Sequence, residues 1–226
     1  MTNSRFGGWA LIAIAIATIL IFMIHPANVD AGASIGPWGL NAMTHALALT
    51  FIPAIGLGFF ALAEWLGLDR PLVRLALSFN LLALVLMTLA PLVSGFIVPD
   101  AYDAGTELGR LAVSFNRAFD RGYIGFTAAA MLLNGLALPA GHRLWKWLSI
   151  PAGAAPLVWL ASGEFHPDPH AMLVLAIVQG GWFVAAGRAL IAADSEAYAA
   201  RAGTALPEIV PVSTRDYGRG DALLPG

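Results

Sequence analysis

The chain has no cysteine, and it carries little charge: 12% of its 226 residues are Asp, Glu, Lys or Arg. The first absence excludes disulfides, thiolate metal sites, a cysteine nucleophile and cysteine-held iron–sulfur clusters. The second is about half the charge of an average soluble domain, too little to cover a water-facing surface. Lysine is nearly missing: Lys146 stands alone, in a loop, so no lysine within a span could carry a Schiff base. Neither a G-x-x-x-x-G-K phosphate loop nor a G-x-S-x-G nucleophile elbow occurs. A net charge of −2 points away from nucleic acid as a partner.

What is present is apolar, at 58% of the sequence. A helix crossing a hydrocarbon layer of roughly 30 Å needs about 20 such residues, and several separate runs reach that size. They lack two-residue alternation and are too long for barrel strands, so the expectation is an all-α polytopic membrane protein, a bundle of about six transmembrane helices. The expected spans are Gly8 to Ile24, Ala42 to Trp65, Val73 to Val98, Gly122 to Ala140, Trp147 to Ser162 and His170 to Ala193. His25-Pro26 stops the first, and Pro151 and Pro156 should kink the fifth. Between the third and fourth, Leu108, Leu111, Ala112, Phe115 and Phe119 recur at helical spacing. That segment is expected to lie at the interface or to extend the fourth span outward.

Residues 1–193 therefore form the transmembrane domain, and 194–226, which mix Ala, Gly, Pro and charge without periodicity, read as a mobile cytoplasmic tail. Arg5, Arg70, Arg74, Arg143, Lys146 and Arg188 fall on one side of a six-span bundle, which makes both termini cytoplasmic. Arg110, Arg117 and Arg121 lie on the other side, accompanied by four acidic residues. The start of the chain also imitates a secretory signal, with Arg5, an apolar run and Ala31-Gly32-Ala33; it is read here as a retained first helix.

On this topology four of the five histidines share the outer face: His25 ends the first span, His45 lies a turn into the second, and His166 and His170 open the sixth. His142 falls in a cytoplasmic loop as a solvated residue. Imidazoles converging from separate helices suit a transition metal, zinc or copper above all, because neutral nitrogen donors must replace the lost hydration shell. The candidate metal ligands are thus His25, His45, His166 and His170, with Asp168 or Asp120 as orienter or general base in a metal-assisted hydrolysis. Glu164 and Asp30 are further carboxylates near the same face. A bis-histidine haem fits less well, since the histidines sit at helix ends. The competing reading is a non-catalytic subunit or scaffold of a larger membrane complex, or a homo-oligomer, whose histidines merely hydrogen-bond to loop carbonyls. A small-solute transporter ranks third, because buried charge and repeated halves are lacking.

His25-Pro26, His45, Ser94-Gly95-Phe96, Asn116 with Phe119, His166-x-Asp168-x-His170, and Gln179 with Trp182 together resemble a group of small six-helix bacterial inner-membrane proteins. The resemblance covers the membrane part and implies position rather than activity. A looser similarity is to the alkaline ceramidase and adiponectin-receptor membrane hydrolases, which implies zinc at His45, His166 and His170. The chain departs from that pattern in having six spans, Asn41 where a serine would stand, and prolines inside the H-x-x-x-H segment.

Overall fold

The structure is a computed structural model that describes residues 2–25, 39–165 and 169–204, all helical apart from short turns. Seven α-helices follow in order: α1 Asn3–Ile24, α2 Gly39–Leu66, α3 Pro71–Leu92, α4 Val98–Ala104, α5 Thr106–Ala137, α6 Arg143–Ala161 and α7 Pro169–Thr204. Helix is what the sequence dictates in lipid, because each peptide group then finds its partner within its own segment. Among the described residues four stretches are long and apolar enough to cross a membrane: Asn3–Ile24, Gly39–Leu66, Pro71–Ala104 and Met172–Ala200. Two of the six expected spans, in α5 and α6, do not meet that measure. In α5 the N-terminal half is charged, and α6 is a 19-residue helix interrupted by two prolines.

Apolar side chains face outward on every one of these helices. Ile16 and Leu20 on α1, Leu57 on α2, Val85 on α3, Val158 on α6 and Val174 and Ile177 on α7 are all exposed, Val158 to 69%. A water-soluble monomer does not carry apolar surface on this scale, so the outer wall of the bundle is built for lipid.

Inside, small residues set the spacing. A Cβ on Gly8 would lie 2.6 Å from the Gly187 carbonyl oxygen, so the backbones of α1 and α7 touch. Close approach of this kind is how membrane helices gain packing energy without a hydrophobic driving force. Leu11, Ile14, Phe59, Leu62, Trp182, Phe183 and Leu190 fill the core beside it.

The turns are local consequences of sequence. Arg70 and Pro71 start α3, with proline at a position whose N–H would be unused anyway. Gly105, at φ 154° and ψ 145°, closes the reversal between α4 and α5 in a conformation open essentially to glycine alone. The amphipathic segment does not lie flat as a separate helix: it is the first half of α5, continuous with the expected fourth span. Likewise α7 runs on to Thr204, and residues 205–226 lie outside those described.

Ring contacts fix the direction of the two less apolar helices. At one end of the bundle Trp65, closing α2, stacks on Trp145 in the first turn of α6 with centroids 5.7 Å apart. At the other end Trp159 of α6 meets Phe165 at 4.8 Å, and Phe165 packs with Ile124 and Leu175. Helix α6 therefore travels from one end of the bundle to the other, and α5 makes the opposite journey beside α3.

Candidate functional site: a histidine pair at an internal cavity

Helix α3 passes into α4 through a π-helical turn, Val93–Ile97. Pro91 stands just before it and cannot donate to the carbonyl four residues back, which loosens the register there. Single π-turns of this sort change which backbone groups are free and often mark working sites. Here the Ser94 carbonyl accepts a hydrogen bond from the Asn41 side-chain amide at 3.0 Å. Gly95 removes the bulk that would keep α2 away: a Cβ at that position would lie 2.6 Å from the Cβ of His45.

Asn41 and His45 are one turn apart on α2, and the Asn41 carbonyl lies 2.8 Å from His45 Nδ1. A carbonyl only accepts, so the neutral ring carries its hydrogen on Nδ1 and presents a lone pair at Nε2. Thr44 donates to the same carbonyl at 2.8 Å. That Nε2 lies 3.4 Å from Nε2 of His25, at the end of α1. The rings meet edge to face with centroids 4.9 Å apart, which leaves no room for a porphyrin between them. His25 and His45, from separate helices, thus come together.

Both rings line a cavity of about 280 Å³ bordered by α1, α2, α3, α4, α5 and α7. Its walls are mainly apolar: Ile21, Phe22, Phe51, Ile55, Met87, Ala90, Pro91, Val98, Val113 and Met172. Polar groups enter from α5, where Asn116, Arg117, Asp120 and Tyr123 follow one another on the lining face. The Asn116 amide donates to Asp120 Oδ2 at 3.0 Å, and the Tyr123 hydroxyl donates to Gln179 Oε1 at 2.9 Å. Asp120 precedes the apolar part of α5, and burial pushes its carboxyl up to about 7.

The remaining sequence candidates divide. His166 and Asp168 lie outside the described residues, as does Asp30. His170 is in the first turn of α7, and its side chain lies outside the described residues too. The chain on either side of them is anchored: the Phe165 carbonyl accepts from the Arg121 guanidinium at 3.3 Å, and Met172 lines the cavity. Among the described residues no group of three or more His, Asp or Glu side chains is placed to hold one ion. His142 sits at the opposite end, edge-on to Trp65 at 5.3 Å.

Three participants carried no strong sequence signal as site residues. Asn41 read as a departure from a serine pattern, and its role depends on a carbonyl released in another helix. Tyr123 and Gln179 are 56 positions apart and pair across α5 and α7. Only the α5 spacing, with 116, 120 and 123 on one helical face, could have grouped Asn116, Asp120 and Tyr123 beforehand.

Comparison with protein-family profiles, with curated proteins and with solved structures finds no match for this chain.

Proposed function

We propose that this chain is a six-span inner-membrane protein that binds a divalent transition-metal ion, zinc or copper, through His25 and His45 at the extracytoplasmic end of its internal cavity. The observation that carries this is the meeting of the two Nε2 atoms. Two nitrogens bound to a tetrahedral zinc at 2.0 to 2.1 Å stand about 3.3 to 3.4 Å apart, and these stand 3.4 Å apart. The hydrogen bond from His45 Nδ1 to the Asn41 carbonyl has the form by which ligating histidines are oriented and their tautomer fixed.

An open zinc site takes three protein ligands. The next donors in sequence are His166 and His170, between Phe165 and Met172, and Asp120 lines the same cavity from α5. In a hydrolytic extension of this reading the ion would supply activation of water, and Asp120 or Asp168 would serve as orienting carboxylate or general base.

Six crossings are supported by the antiparallel course of α5 and α6 between the two ends of the bundle, and by the exposure of Leu136, Leu148 and Val158 on them. Arg5, Arg70, Arg74, Lys146 and Arg188 then gather at the end away from the cavity, which supports cytoplasmic termini.

The test is metal content. Full-length protein purified in mild detergent and equilibrated with zinc should retain about one ion per chain, and His25→Ala with His45→Ala should retain almost none. Equal retention by the two proteins removes the proposal.

A further inference from the structure

The cavity is far larger than an ion requires. Its volume of about 280 Å³ is near the lower end of small-molecule sites, which run from about 300 Å³ upward. Among the described residues that line it, the Asn116 side chain has a polar atom left incomplete. The Asn116 amide nitrogen is committed to Asp120 Oδ2 at 3.0 Å, which fixes the direction of the side chain. Its carbonyl oxygen, Oδ1, is buried and meets no donor among the described residues. An acceptor held at depth without a donor is costly, and anything that supplies a donor there gains accordingly.

The complement to this arrangement is a donor on an apolar body. A carboxylate would set its oxygens against Asn116 Oδ1 and the Asp120 oxygens, and an ether or ketone offers no hydrogen. A cation would face Arg117, which lines the cavity one residue from Asn116. An uncharged hydroxyl satisfies Oδ1 without any of these conflicts. Its apolar remainder fits against Phe22, Phe51, Met87 and Met172.

We propose that the cavity is a binding site for an uncharged, hydroxyl-bearing apolar molecule drawn from the lipid phase, whose O–H donates to Asn116 Oδ1. Both long-chain alcohols and alkylated hydroquinones have this chemistry. The site goes beyond the metal reading and does not depend on it, because Asn116 is not one of the metal ligands.

The experiment compares matched pairs on the full chain in detergent, with affinity taken from the ligand dependence of the thermal midpoint. Decanol is set against decyl methyl ether, and a decyl-substituted hydroquinone against its dimethyl ether. One net hydrogen bond predicts roughly tenfold tighter binding of the hydroxyl member. A preference in either series supports the site and identifies whether a chain or a flat ring fits. No preference in both series, or tighter binding of decanoate than decanol, overturns it.

Asn116→Leu should abolish the preference. A preference that survives Asn116→Leu and is lost in His25→Ala with His45→Ala overturns the proposal, because the hydroxyl would then be held by the histidines. Should Asn116→Leu fail to fold, the comparison of alcohol with ether in the unmodified protein still decides the matter. Failure of metal retention leaves this result untouched, so the two readings fall separately.

Discussion

The two ends of the bundle solve opposite problems. Around Trp65, Trp145 and Trp182 the helices close on large rings: Trp145 and Trp182 are buried with centroids 5.8 Å apart, and the Trp182 indole donates to Ser149 Oγ at 2.7 Å. Ser149 in turn donates to the Trp145 carbonyl at 2.9 Å. At the far end the helices part around a cavity, a π-turn replaces regular helix, and imidazole, amide and carboxyl groups face inward. Void and buried polarity both cost stability. Finding the void, the paired imidazoles and the buried carboxyl at one end, opposite a filled aromatic core, teaches that the first end holds the bundle together and leaves the second free for binding.

If that division is right, the largest loss should come from the filled end. Trp182→Ala would empty a volume that neighbours cannot collapse into and would leave Ser149 without its indole partner. A cost of about 3 to 5 kcal/mol is expected from comparable core truncations, read as a lower thermal midpoint in detergent. Ala48→Leu, projecting into the cavity, should cost less than about 1 kcal/mol because free volume receives it. A larger loss from Ala48→Leu than from Trp182→Ala would dissolve the comparison.

Next in size is Gly95→Val. The π-turn brings Gly95 against His45, so the added side chain must move either the turn or the ring. The expected outcome is at least a tenfold fall in zinc affinity, on the scale of losing an orienting partner of a metal-bound histidine. Thermal stability should fall less than in Trp182→Ala. Unchanged zinc affinity would detach the π-turn from the histidine pair.

Much of this was legible in the sequence, and the parts that were not share a cause. Apolar runs and their proline and glycine breaks announced helices, because lipid leaves the backbone one local solution. His25 and His45 were grouped by counting crossings, which needs only the parity of the spans. Gly95 and Asn116 stood out only through a resemblance, and Asn41 only as a departure from one, since their importance lies in contacts between helices whose rotation about their own axes is set by packing. The Asn41 side chain bonds to a carbonyl 53 positions away, freed by a π-turn that no periodicity marks. Helix α5 decides between two alternatives that its sequence left open: its charged first half extends the apolar second half outward in one continuous helix of 32 residues.

The remaining effect expected is the one that discriminates by pH. Burial raises the Asp120 carboxyl from 3.8 to about 7, so the folded protein binds that proton more tightly than the unfolded chain does. Its contribution to stability is full below about 4 and is lost progressively as the pH rises through about 7. Asp120→Asn keeps the shape and the acceptor for the Asn116 amide, through its own side-chain oxygen, but cannot ionise. The thermal midpoint of the unmodified protein should therefore decline between pH 5 and pH 8 more steeply than that of Asp120→Asn, the two curves converging on the acid side. Parallel curves across this range would mean that water reaches the carboxyl freely, and the cavity end would then be an open vestibule instead of an enclosed site.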